Sequence, residues 1–235
     1  MFVIEDKVWD SAFFGFKTGE LTFSGDMDAF SLALNQAKHD NYRLLYWKIP
    51  IEDFAANQIA ASNKLFLGDT KTVFELPGSE IQPQKIHPVK KWTETVNENL
   101  ISLGISSGKY SRFKNDPLLP KNSFEKMYRE WVLQSLNGNM GDEIYYIGDA
   151  ADPQAMVTIA FKNQFAEIGL IAVKPEYQQQ GYGKLLVEFV ENITFEKKLN
   201  HLIAATQLSN LPAIKLYEKC GGKIIKQENI YHIWL

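Results

Sequence analysis

The chain has 235 residues, 45% of them hydrophobic and 23% charged, with a net charge of −3 at neutral pH. That length suits one large domain or two small ones, and the composition is that of an ordinary globular protein. A slightly acidic chain lacks the basic stripe that a nucleic-acid surface needs, so no nucleic-acid partner is expected.

The four histidines are scattered and Cys220 is the sole cysteine. No pair has metal-ligand spacing, so no metal is expected, and no disulfide can close within the chain. A reducing cytoplasm fits that cysteine usage. The N-terminus, MFVIEDKVWDSAFFG, carries acidic residues early and does not read as a signal peptide. No run approaches the ~18 apolar residues of a membrane span, so the protein reads as soluble with no membrane partner.

Residues 7–25 mix glycine with aromatics, with Trp9, Phe13, Phe14 and Phe16 close together, and Lys17 to Phe23 alternates as a strand. Asp26 or Asp28 caps a helix whose apolar positions include Phe30, Leu34 and Ala37. Tyr42 to Ile49 reads as a buried strand ended by Pro50, Glu52 to Asn63 as a helix, and Thr70 to Leu76 as a strand before Pro77-Gly78. Residues 1–80 are thus expected to be a small βαβαβ-like domain. It ends helix, short connection, strand, much as the whole chain does, which suggests a half-sized relative of the second domain, although the period is too degenerate to count as a repeat. The polar, Pro- and Gly-bearing stretch Gly78 to Pro88 is the expected boundary, leaving 88–235 as the larger domain.

In that second part Trp92 to Leu103 reads as helical, and Ser106 to Pro120 as a long irregular stretch suited to binding. Asn122 or Ser123 caps a helix through Leu136, and Gly138 to Gly141 is a turn. Glu143 to Ile147 and Ala155 to Phe161 form an antiparallel pair, and Phe165 to Val173 continues the meander. Tyr182 to Lys197 is a helix, Leu202 to Thr206 a buried strand, and Asn210 to Cys220 a helix with Pro212 near its start and Gly221-Gly222 past its end. Lys223 to Lys226 and Ile230 to Leu235 finish as two strands.

The stretch Glu167 to Leu186, EIGLIAVKPEYQQQGYGKLL, carries the chemistry. An apolar strand cut by Pro175 leads into a Gln-rich loop, a Gly-x-Gly pair and a helix. Gly181 and Gly183 remove side chains where a ligand must approach the backbone, and a helix start leaves several N–H groups without partners. Free donors at the positive end of a helix dipole make an anion site. A Gly-x-Gly alone also fits an ordinary strand-to-helix turn. Neither familiar nucleotide loop fits, since Leu186 stands where a third glycine belongs and there is no Gly-Lys-Ser/Thr.

What fits is Val173-x-Pro175-x-x-Gln178-x-x-Gly181-x-Gly183. It resembles the acetyl-CoA loop of the GCN5-related N-acetyltransferases, the GNAT family, written Gln/Arg-x-x-Gly-x-Gly/Ala. A second segment, Asn210-x-x-Ala213 through Tyr217 to Gly221, resembles that family's Asn-x-x-Ala-x-x-x-Tyr-x-x-x-Gly-Phe, with Gly222 where the aromatic belongs. That departure is expected to loosen the packing behind the helix. The resemblance implies an α/β (α+β) GNAT fold, a mixed central sheet flanked by helices, preceded by a truncated GNAT-like domain. It implies an acetyl-CoA-dependent N-acetyltransferase that transfers directly to an amine, with acetyl-CoA as co-substrate.

The same resemblance assigns roles. Main-chain groups of Ile171 and Val173 would pair with the pantetheine arm, because the neighbouring strand splays away, and one N–H would polarise the thioester carbonyl. Gln178, Gln179, Gln180, Gly181, Tyr182, Gly183 and Lys184 would hold the pyrophosphate, although Lys184 also suits plain surface. Asn210 would bond the pantetheine or cap its helix. Tyr217 would be the general acid toward the leaving thiolate, or else a core tyrosine. Reference pKa values of ~8.5 for the thiol and ~10 for the phenol make full proton transfer uphill by about 2 kcal/mol. Glu167 stands where the histone-type members keep a catalytic glutamate, with water as the alternative base. Strand alternation puts Glu167, Gly169, Ile171 and Val173 on one side. Cys220 reads as packing.

Val8 to Gly15, Ser111-Arg112-Phe113, Phe124-x-x-x-Tyr128-x-x-Trp131, Ala204 to Asn210 and Tyr231 to Leu235 together resemble the bacterial dTDP-fucosamine (dTDP-4-amino-4,6-dideoxygalactose) N-acetyltransferases of surface-polysaccharide assembly. This implies a nucleotide-activated amino deoxysugar as acceptor. Arg112 is suited to its diphosphate, and Tyr110 or Phe113 to stacking on base or sugar, with interface packing as the plainer role for any one aromatic. A peptide or polyamine acceptor, and a non-catalytic acyl-CoA-binding sensor, stay open as alternatives. So does a homodimer.

Overall fold

The computed structural model describes residues 1–77, 88–136 and 143–235. In chain order the elements are β1 (Phe2–Asp6), α1 (Val8–Phe14), β2 (Thr18–Phe23), α2 (Met27–His39), β3 (Leu44–Pro50), α3 (Phe54–Ser62) and β4 (Phe66–Pro77). Then come β5 (Val89–Lys91), α4 (Glu98–Ser107), α5 (Arg112–Asn115), α6 (Ser123–Leu136), β6 (Glu143–Gly148), β7 (Pro153–Phe161) and β8 (Phe165–Val173). A 3₁₀ turn (Pro175–Tyr177), α7 (Tyr182–Glu196), β9 (His201–Gln207), α8 (Leu211–Lys219) and β10 (Lys223–Trp234) complete the chain. Mixed parallel and antiparallel strands with intervening helices give the expected α+β class. Among the described residues no helix is long and apolar enough to cross a membrane, and no group of His, Cys, Asp and Glu is disposed to hold a metal ion.

The chain forms two compact units. The first takes in Met1–Lys71, Ser111–Ser123 and Lys226–Leu235, the second Thr72–Tyr110 and Phe124–Ile225. The sequence suggests a single cut near 78–88, most of which lies outside the described residues; the units are instead interleaved. The physical cause is β10. It is one continuous strand rather than the expected two, and it pairs antiparallel with β3 from Glu228↔Pro50 to Trp234↔Leu44.

In the first unit the strands run β1-β2-β3-β10-β4. β1 is antiparallel to β2, and β2 is parallel to β3 across the α2 crossover. Alternate residues Leu45, Trp47 and Ile49 of β3 and Tyr231 and Ile233 of β10 meet Phe30 and Ala37 of α2 and Ile59 and Ala60 of α3 in one core. Asp26 and Asp53 cap α2 and α3, accepting from Ala29 N at 2.9 Å and Ala56 N at 3.0 Å.

In the second unit the order is β4-β9-β8-β7-β6-β5. Its core holds Phe74, Val157, Ile168, Leu186, Val190, Leu202 and Tyr217. The helix expected at Trp92 begins instead at Glu98, capped by Asn97. Trp92 directly follows β5, and its N–H donates to Ile144 O at 2.8 Å. The turn expected at 138–141 lies outside the described residues. Gly222 does not loosen the packing behind α8. A Cβ there would fall 2.8 Å from Tyr217 O and 3.3 Å from Phe74 Cδ1, and Phe74 of β4 already fills the space, its ring centroid 5.3 Å from that of Tyr217.

Candidate active site

The parallel ladder between β8 and β9 runs only from Phe165↔His201 to Ile168↔Ala204. β8 continues to Val173 and β9 to Gln207, so the two strands part and one backbone edge of β8 is left open. On its other side β8 stays with β7, but the register shifts, with Val157 opposite Ile171 and Ile159 opposite Ile168. That is one extra residue on β8, a bulge. At the bulge Leu170 N donates to the Thr158 hydroxyl at 2.8 Å, and further along Lys174 N donates to Gln154 O at 2.9 Å. Backbone groups alternate sides along a strand. With Leu170 and Lys174 turned toward β7, the N–H groups of Ile171 and Val173 face the opening that β9 leaves.

The bulge corrects the expected facing of this strand. Ala166 and Ile168 enter the core before it, and Ile171 and Val173 pack against the same core after it. Glu167 and Gly169 therefore look the other way. A side chain at Gly169 would meet the Thr158 hydroxyl at 2.7 Å and the Trp131 indole nitrogen at 4.0 Å. Glu167 is half-buried there, opposite Ala160 and Ile203.

After Val173 the chain curls. The Gln178 side chain donates to Val173 O at 3.1 Å and that of Gln180 to Glu176 O at 3.0 Å. Gln179 has φ +62° and Gly181 φ +89°, left-handed positions that turn successive amides inward. No side chain caps α7, whose first helical bond is Leu185 N to Gly181 O at 2.9 Å. Among the described residues, no acceptor is found for the N–H groups from Gln179 through Lys184. Gly183 sits close to α8, where a Cβ would lie 3.3 Å from Leu216 Cδ2. Tyr182 and Tyr177 flank the loop with stacked rings, centroids 6.1 Å apart. Lys184 reaches Glu188 at 3.4 Å on the helix surface. The arrangement is an anion cradle beside an open strand edge.

Tyr217, on α8, is 2% exposed. Burial, with a smaller contribution from Cys220, pushes its phenol above the ordinary value, so it stays protonated. Asn210 caps α8, accepting from Ala213 N at 3.4 Å and donating to the Thr206 hydroxyl at 3.0 Å. Burial, reinforced by Glu191 and Glu188, pushes the Cys220 thiol up to about 12, which leaves it unreactive at neutral pH.

Glu191 on α7 gave no signal in the sequence. It is 3% exposed, with one carboxylate oxygen buried and lacking a partner among the described residues. Burial first, then the charge of Glu188, raise its pKa to about 7. A raised carboxyl favours the folded state when protonated. That stability is full below the ordinary value of 4.5 and is lost as pH rises through about 7. Glu191→Gln is expected to match the parent in urea unfolding near pH 5 and to exceed it at pH 8, by up to about 3 kcal/mol. A pH-independent difference would remove Glu191 as the cause.

The residues suggested for the acceptor are divided. Tyr110 belongs to the second unit, and Arg112 and Phe113 to the first. Phe113 is buried. The Arg112 guanidinium lies over the Phe113 ring at 4.2 Å and the Tyr46 ring at 5.3 Å, and its backbone N–H donates to Asp69 at 3.2 Å. Beside it Asp116 accepts from His232 Nδ1 at 2.6 Å and Trp234 Nε1 at 2.9 Å, which fixes the imidazole. Sequence reasoning also passed over Thr158, whose hydroxyl sets the bulge. A threonine in a strand is too common to signal that.

Residues 112–222 match the model of the acetyltransferase (GNAT) family. The chain is 24% identical over 208 residues to the spore coat polysaccharide biosynthesis protein SpsD of Bacillus subtilis strain 168, an alignment covering 83% of this chain and 68% of that protein. It is similar in structure to a functionally unknown conserved protein from Staphylococcus epidermidis ATCC 12228, with TM-score 0.63, 14% identity, and coverage of 92% of this chain and 84% of the other. It is also similar to a tandem GNAT protein from the clavulanic acid biosynthesis pathway, with TM-score 0.55, 14% identity, and coverage of 92% and 75%. At these identities the structural likeness is one of fold.

Proposed function

Because this chain carries a GNAT acetyltransferase domain and is an acetyl-CoA-dependent acyltransferase, we propose that it acetylates the amine of a small nucleotide-activated amino sugar. The observation that carries the acyl-transfer part is the parting of β8 from β9 after Ile168, directly ahead of the uncapped start of α7. Acetyl-CoA supplies the acetyl group as an activated thioester. The amides from Gln179 to Lys184 would grip its diphosphate as anion donors. The outward-facing backbone of Ile171 and Val173 would pair with the pantetheine arm, and one N–H would steady charge on the carbonyl oxygen. Tyr217 would donate its proton to the departing sulfur, and Glu167 or a water would take the proton that the amine loses.

The sugar reading is supported by the likeness, over 83% of this chain, to SpsD, a spore coat polysaccharide biosynthesis protein, and by the resemblance to sugar-nucleotide acetyltransferases at both ends of the sequence. The test is product analysis by mass spectrometry with acetyl-CoA and a panel of dTDP-aminosugars, peptides and polyamines. Acetylated dTDP-aminosugar is the expected product; turnover of peptides or polyamines alone would overturn the sugar assignment.

The first unit, read as a truncated GNAT-like domain, is expected to take no cofactor. Its strand-to-helix turn between β3 and α3 carries Glu52 and Asp53, and the Asp53 carboxylate occupies the helix start. Titration calorimetry is expected to give one acetyl-CoA per chain. A value near two would show that the first unit binds as well.

A further inference from the structure

We propose that the paired rings of Tyr177 and Tyr182 form the platform for the adenine of acetyl-CoA. This rests on the acetyl-CoA reading of the Gln178–Lys184 loop and extends it to the far end of the cofactor. The two tyrosines bracket the loop, one in the 3₁₀ turn before it and one at the first position of α7. Their planes are 20° apart, with centroids at 6.1 Å. Tyr182 packs its inner side against the core of the second unit, which fixes it in place. Tyr177 is half-buried, and it is not among the rings packed on that core.

Tyr177 stands between Glu176 and Gln178 on a polar loop, half-buried beside the Tyr182 ring. Flat rings recognise other flat rings through their faces, and the partner's identity follows from what is tethered nearby. A diphosphate held on the amides between the two tyrosines carries its adenosine one ribose away, so the base arrives beside the ring pair. Base stacking on an aromatic side chain is sequence-tolerant and does not need a hydrogen-bonding edge. This would let the loop hold the nucleotide end of the cofactor without further side chains.

The test separates stacking from loop support by using a thioester without the base. Binding of acetyl-CoA and of S-acetyl-4′-phosphopantetheine, which keeps the thioester, the arm and one phosphate but no adenosine, is measured for the parent chain, Tyr177→Ala and Tyr177→Phe. Tyr177→Ala is expected to weaken acetyl-CoA roughly tenfold and to leave the truncated thioester unchanged. Tyr177→Phe, which keeps the ring, is expected to restore acetyl-CoA affinity. Equal weakening of both probes would make Tyr177 a brace for the loop and overturn the proposal, as would no weakening of either. A parent chain that binds neither probe would bring down the acetyl-CoA reading itself.

Discussion

Tyr217→Phe is expected to lower kcat by about 10²- to 10⁴-fold while leaving acetyl-CoA affinity essentially unaltered, the signature of a lost proton donor. The argument begins with packing. The ring is buried against Phe74, and phenylalanine keeps that contact, so the fold should survive. Burial disfavours the phenolate, so the parent residue holds its proton throughout the working pH range. A thiolate departing beside this phenol, as proposed, would be disfavoured by the same burial, so the sulfur would have cause to accept a hydrogen bond or the proton itself. Without the hydroxyl, the sulfur must leave as an unassisted anion. Steady-state kinetics and calorimetry together decide the matter. An unchanged kcat would return Tyr217 to a purely structural role.

The second large effect concerns Gly181. Gly181→Val is expected to weaken acetyl-CoA binding between about tenfold and a hundredfold, the loss of one or two charge-assisted hydrogen bonds. Nothing lies within 4 Å of where a Cβ would stand, so crowding within the chain is not the reason. The backbone is at φ +89°, where an L side chain costs roughly 1–2 kcal/mol and a β-branched one more. Relief of that strain would turn the amides out of the cradle. Gly221 offers a matched control at φ +81°, with only Pro77 Cγ nearby at 3.9 Å. Gly221→Val should lose similar stability in urea yet bind acetyl-CoA normally. Equal affinity loss in both variants would mean that general destabilisation, not the cradle, is responsible.

The strand, turn and helix around the loop were legible because they are written in one contiguous stretch. Gln178, Gly181 and Gly183 sit at fixed offsets: the Gln178 side chain folds back onto Val173 O, and Gly181 makes the left-handed turn ahead of α7. The Asp26 cap of α2 and the Asn210 cap of α8 were legible for the same reason. What escaped was set by distant partners. The facing of Ile171 depends on Thr158, which offers a hydroxyl where the ladder would use a carbonyl, and no periodicity within β8 records that. Trp92 looks helical by spacing, yet it directly follows β5 and is tied by its N–H to Ile144. β1 is short and alternates weakly, so only its pairing with β2 reveals it. Phe113 resembles a ligand-stacking residue in sequence, but it is a buried ring under a guanidinium.

The interleaving of the chain bears on how it is made. β3 lacks its neighbour on one side until residues 226–234 are available, and these come after the whole of the second unit along the polypeptide. During vectorial synthesis the leading segment therefore waits with an open strand flank for as long as the intervening residues take to emerge. Its completion is late, although its sequence comes early, and that interval is when a holdase chaperone would have most to protect.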